Sequence, residues 1–141
     1  MHGLWAIVIG IGITIFGVLP ASHAEDVNPN LVPPYVTDGL ETYGAKGYEA
    51  AVAVWLQDSP WKNATTLASS IAFFKNIEML AGKYISYDIL MTRQTISSNA
   101  VYVRMNFARR PGFILFISKV SNDKWVLAKL RLDRMQKMGT L

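Results

Sequence analysis

The sequence predicts an α+β domain in which N-terminal helices pack on a curved antiparallel sheet of about four strands. Three observations predict it. The apolar period is about 3.6 as far as Gly82 and about 2 after Lys83. The strand-like runs are joined by short turns, which favours an antiparallel meander. Helices come first and strands after, so the helices gather on one face of the sheet.

Residues 1–24 are set apart from this domain. Leu4 to Leu19 is almost wholly apolar, Pro20 follows, and Ser22 and Ala24 supply small residues at −3 and −1. This is the pattern of a secretory signal peptide cut between Ala24 and Glu25. Its n-region departs from the pattern, because Met1-His2-Gly3 carries no Lys or Arg. The competing reading is an uncleaved anchor, but the run is short of the ~20 residues that span hydrocarbon. No stable membrane anchor is expected after cleavage. The expected compartment is the periplasm.

Cleavage leaves 117 residues, enough for one domain. Residues 25–37 are proline-rich and aperiodic, and read as an extended leader. The domain is expected over 38–134 and a polar tail over 135–141. Thr37 is a plausible N-cap for a short helix ending at Gly44. A second helix runs through Tyr48 to Leu56, with Tyr48, Val52, Trp55 and Leu56 on one face. A third runs from about Ala64 to Leu80, with Gly82 as its terminating glycine. The strands are expected at about 84–92, 100–108, 113–120 and 124–132. On the second, Val101, Val103, Met105 and Phe107 oppose Tyr102, Arg104 and Asn106. The third is apolar on both faces and therefore central. On the fourth, Val126, Ala128, Leu130 and Leu132 oppose Trp125, Leu127, Lys129 and Arg131.

Composition excludes several chemistries. The chain has no Cys, and both histidines, His2 and His23, fall in the segment expected to be removed. A Ser–His–Asp triad, a Cys–His pair and any metal site built on imidazole or thiolate are excluded from the mature domain. There is no Gly-rich phosphate loop. No metal and no cofactor are expected. Acid–base work would fall to Asp, Glu, Lys or Tyr. Asn63-Ala64-Thr65 matches a glycosylation sequon, a triplet common by chance.

Several stretches resemble small exported bacterial members of the nuclear transport factor 2-like superfamily, the cone-shaped α+β roll. They are Gly39-Leu40-Glu41-Thr42-Tyr43 leading into Ala50 and Trp55-Leu56, and Gly82-Lys83-Tyr84-Ile85-Ser86-Tyr87-Asp88. They continue with Tyr102-Val103-Arg104-Met105-Asn106-Phe107 and Asp123-Lys124-Trp125-Val126-Leu127 through Leu130-Arg131-Leu132-Asp133. The resemblance covers about residues 38–134. It implies a pocket between sheet and helices, and a homodimer. Members include isomerases and dehydratases, small-ligand binders and assembly domains. The dehydratase type leans on a histidine that the mature chain lacks. The ketosteroid isomerase type uses an Asp base with Tyr and protonated Asp donors. Asp88 with Tyr87 or Tyr102 supplies those residue types but does not align onto that arrangement.

Trp55, Tyr84, Tyr87, Tyr102 and Trp125 are the aromatic candidates for lining a pocket, against ordinary packing in the core and across strands. Asp88, Glu49 and Glu78 read as solvated charges. The charge is lopsided: residues 25–82 carry a balance of −4 and residues 83–141 one of +8. Arg104, Lys129 and Arg131 fall on polar strand positions and form one expected basic patch. It suits an anionic ligand, an anionic membrane surface or an acidic partner, or it simply keeps a sheet face soluble. Nucleic acid is not expected, because no recognition helix or RNA-binding signature is present. The expected function is a non-catalytic binding or interaction module with an apolar pocket for a small apolar or anionic ligand. The alternatives are an isomerase or lyase using carboxylate and Tyr groups, and a dimeric periplasmic assembly domain.

Overall fold

A computed structural model describes residues 27–133. The signal segment 1–24, the cut between Ala24 and Glu25, and the tail 135–141 lie outside the described residues. Within them, a 3-10 turn (Pro29–Leu31) leads into three helices, α1 (Pro34–Lys46), α2 (Tyr48–Leu56) and α3 (Ala64–Ala81). Four strands follow, β1 (Tyr84–Gln94), β2 (Asn99–Phe107), β3 (Pro111–Ser121) and β4 (Lys124–Asp133). They form one antiparallel sheet in the order β1-β2-β3-β4. The sheet is curved and unclosed, and the helices pack against it, so the fold is α+β. No helix among the described residues is long and apolar enough to cross a membrane.

Residues 34–37 belong to a helix and not to an extended leader. Pro33 is extended (φ −60°, ψ 139°) and Pro34 occupies the first turn, where its missing N–H costs nothing and its φ is preset. The helix also runs past Gly44 to Lys46, and Gly47 ends it at φ +96° with its N–H on Tyr43 O. Gly82 closes α3 in the same way at φ +90°. The Asn63 carboxamide oxygen accepts from Thr66 N at 2.8 Å, so the side chain of the sequon triplet caps α3.

The core lies between the helices and one face of the sheet. Val36, Leu40, Val52, Trp55 and Phe74 meet Val101, Val103, Met105, Ile114 and Phe116 there, all at most 2% exposed. On β2 the expected alternation holds residue by residue. On β4 it does not. The register passes from Ser118↔Leu127 to Ile117↔Lys129, which leaves Ala128 as an extra residue. The bulge turns Leu127 onto the core face with Leu130 and Leu132, where the alternation expected from sequence set it against them.

Where the core face reaches the hairpin end of the sheet it turns polar. Gln94, Asn99, Ser118 and Leu127 lie opposite one another across the four strands. Asn99, fully buried, donates to Leu31 O at 2.6 Å and to Gln94 Oε1 at 3.1 Å. Ser118 meets the Tyr35 hydroxyl at 2.7 Å, and Ser59 donates to Leu127 O at 2.7 Å. These bonds fasten residues 31–35 and the α2–α3 loop to the sheet, while Asn99 Oδ1 stays buried without a hydrogen-bond partner among the described residues.

Candidate functional site

The polar row borders an open cleft of about 440 Å³. One wall is α1, with Pro34, Tyr35 and Asp38. A second is the end of α2 and the residues after it, with Val54, Trp55, Gln57, Asp58 and Ser59. The third is the β3–β4 turn and the start of β4, with Asp123, Lys124, Trp125, Val126 and Leu127. The volume falls in the ~300–1,000 Å³ range of small-molecule sites. Asn122 (φ 50°) and Asp123 (φ 63°) form the tight turn that carries this third wall. Both residue types tolerate the left-handed region, and paired positive φ matches the twist of a hairpin.

The aromatic groups in the cleft differ in availability. Trp55 is 2% exposed and donates Nε1–H to Val36 O at 3.2 Å, so little of it is open to the cleft. The Tyr35 hydroxyl is engaged by Ser118, and burial raises its pKa far above the usual phenol range. Trp125 is half-buried and lines the cleft from the start of β4. Around it stand three carboxylates, Asp38, Asp58 and Asp123, and one cation, Lys124. Lys124 Nζ lies 2.8 Å from Asp58 Oδ2, an exposed pair. The lining thus combines Trp and Tyr rings with three carboxylates and one cation.

The five aromatic candidates do not form one site. Trp55 and Trp125 share the cleft. Tyr84 and Tyr87 border a smaller recess beside α1, where Tyr84 donates to Leu40 O and Tyr87 to Glu41. Tyr102 lies on the opposite face of the sheet, stacked on Phe113 with centroids 6.2 Å apart. Sequence reading missed Tyr35, Asp38 and Ser59. Tyr35 lies in the stretch expected as an extended leader, and only the Pro33-Pro34 helix start points to it.

The carboxylates show where acid–base chemistry has material. Asp88 is exposed and accepts from Asn106 at 3.0 Å and Arg104 at 2.8 Å. These bonds hold its carboxyl below the usual range, the reverse of a general acid. Glu49 is exposed. Glu78 is half-buried and accepts from the Tyr43 hydroxyl at 2.6 Å. That pair borders a polar recess of about 450 Å³ with Lys46, Tyr48, Lys83 and Tyr84. Burial, then the Glu78 hydrogen bond and charge, raises the Tyr43 pKa far above the phenol range. Tyr43 is 3% exposed and packs on five other rings, so it serves the core first. Among the described residues no group of three or more His, Cys, Asp or Glu is placed to hold a metal.

Of the basic patch, Arg104 is tied to Asp88, while Lys129 and Arg131 lie on β4 with no ion pair among the described residues. All three are on the face turned away from the helices. Comparisons with protein-family models, curated proteins and solved structures return no match for the chain.

Proposed function

We propose that the domain is a non-catalytic binding module whose cleft takes a small organic cation with an apolar body. The observation that carries this reading is the half-buried Trp125 indole set among Asp38, Asp58 and Asp123 in a cleft of about 440 Å³. A cation over an indole gains ~0.5–2 kcal/mol according to how far it is desolvated, and nearby carboxylates add to it. Lys124 offsets one carboxylate, so the rim keeps an excess of two negative charges. An anionic ligand, one of the two ligand classes expected from sequence, suits this cleft poorly. The reading places the domain in the periplasm on the strength of the apolar run 4–19 and the Ser22/Ala24 ending.

The isomerase or lyase alternative has one supporting observation, the Tyr43–Glu78 bond beside the second recess. Tyr43 offers that recess little reactive surface, which favours the binding reading.

Calorimetric titration tests the proposal with phenethylammonium, phenethyl alcohol and phenylacetate, three probes of one shape and different charge. The cation should bind at least about tenfold tighter than the anion, and Trp125→Ala should remove the preference. Equal affinity for cation and anion, or unchanged binding by Trp125→Ala, would overturn it.

A further inference from the structure

The face of the sheet turned away from the helices has a charge pattern of its own. Arg93, Ala100, Ile117 and Lys129 form one row across all four strands. Met91, Tyr102, Leu115 and Arg131 form the row below it, and Asp88, Arg104, Phe113 and Asp133 form the next. At ~4.8 Å between strands, Arg93 and Lys129 stand about 14 Å apart on opposite edges. Between them Tyr102, Phe113, Leu115 and Ile117 are half-buried and lie outside the core that the described helices cover. The register places two acidic residues on this face, Asp88 and Asp133, and Arg104 and Asn106 already bind Asp88. At the lower corner a shallow depression of about 320 Å³ is lined by Arg104, Asn106, Arg109 and Arg110. Arg109 spends two donors on the carbonyls of Met79 and Leu80, and Arg110 is exposed.

We infer that this face is a docking surface for an anionic phospholipid bilayer. The face has an apolar and aromatic centre flanked by cations, the arrangement that seats at a lipid headgroup layer. Each Lys or Arg near an anionic leaflet adds attraction, and the sheet offers several on one side. A second copy docked on this face about a two-fold axis along the strands would set Arg93 against Lys129, which opposes self-pairing in that orientation.

Co-sedimentation of the protein, as the cell processes it, with vesicles tests the inference. The vesicles contain phosphatidylglycerol in phosphatidylethanolamine, or phosphatidylcholine alone. Binding should be confined to the anionic vesicles and fall at least about tenfold between roughly 50 and 300 mM salt. Combined Arg93→Glu, Lys129→Glu and Arg131→Glu should lower it at least about tenfold. Combined Lys46→Glu, Lys62→Glu and Lys75→Glu, with the same change in net charge on the helical side, should leave it within about twofold. Circular dichroism establishes that both triple variants are folded. Four results would each overturn the inference: no partition to anionic vesicles, equal partition to phosphatidylcholine, equal loss in both triple variants, or a wild-type protein that forms a dimer and ignores vesicles.

Discussion

Trp55 lies flat enough on α1 that a β-carbon at Gly39 would overlap its indole ring. Gly39 is an interior helical residue, a position where glycine costs up to ~1 kcal/mol relative to alanine. Here the missing side chain makes room for the largest fully buried group in the core. The indole N–H then reaches Val36 O at 3.2 Å, one turn earlier on the same helix. Gly39→Ala should therefore destabilise the domain by roughly 2–3 kcal/mol, since overpacking outweighs the gain in helix propensity. A lower urea midpoint with an unchanged slope is the expected reading. A stabilised variant would mean that α1 and α2 do not approach this closely.

The Tyr35–Ser118 bond joins the start of α1 to β3 across 83 positions of sequence. Ser118 is 1% exposed, so removing its partner leaves a buried hydroxyl unsatisfied. Tyr35→Phe should cost about 1–3 kcal/mol, and Ser118→Ala a similar amount. The double variant should cost clearly less than the sum, with a coupling of about 1 kcal/mol in a double-mutant cycle. Additive effects would show that the two hydroxyls do not depend on each other.

The buried phenols make stability fall at alkaline pH. Tyr35, Tyr43 and Tyr84 all have raised pKa values, with burial the largest cause in each; Glu78 adds to it for Tyr43, and Tyr87 and Glu41 for Tyr84. A group whose folded pKa lies above its unfolded value contributes stability that is complete below the unfolded pKa. For tyrosine that is ~10, and the contribution is lost as pH rises beyond it. Near pH 11 the tyrosinate absorbance of the folded protein should report fewer than the six tyrosines of the chain. Urea should release the rest. Tyr43→Phe should flatten the alkaline limb of the stability curve. Ionisation of all six with the fold intact would contradict the burial of these rings.

The period change at Lys83 made the order of elements legible, because 3.6 and 2 are incompatible ways of facing one core. The β2 face was legible for the same reason: every second residue from Val101 to Phe107 is apolar, and all of them are buried. Two features escaped. The bulge at Ala128 is a backbone event with no sidechain signature, and it moved Leu127 to the other face. The cleft escaped because its walls come from positions 34–38, 54–59 and 123–127, which only tertiary packing brings together. Aromatic type alone grouped Tyr102 with Trp125, although strand parity sets Tyr102 on the far face. The basic half was legible as charge, and the register then arranged its members into rows.

Asp58 separates the stability of the cleft from its use. Its ion pair with Lys124 is short, 2.8 Å, but both side chains are more than half exposed. Such a pair pays side-chain entropy and is screened by water, so it adds little to folding. Asp58→Asn should leave the urea midpoint nearly unchanged, within about 0.5 kcal/mol. The same substitution frees the Lys124 ammonium at the mouth of the cleft and removes one carboxylate from the rim. Phenethylammonium should then bind roughly tenfold more weakly, while the affinity for phenylacetate rises. Lys124→Gln should do the opposite, strengthening the cation and weakening the anion. If both variants shift the two probes in the same direction, the rim charge does not select the ligand, and the preference lies in the Trp125 indole alone.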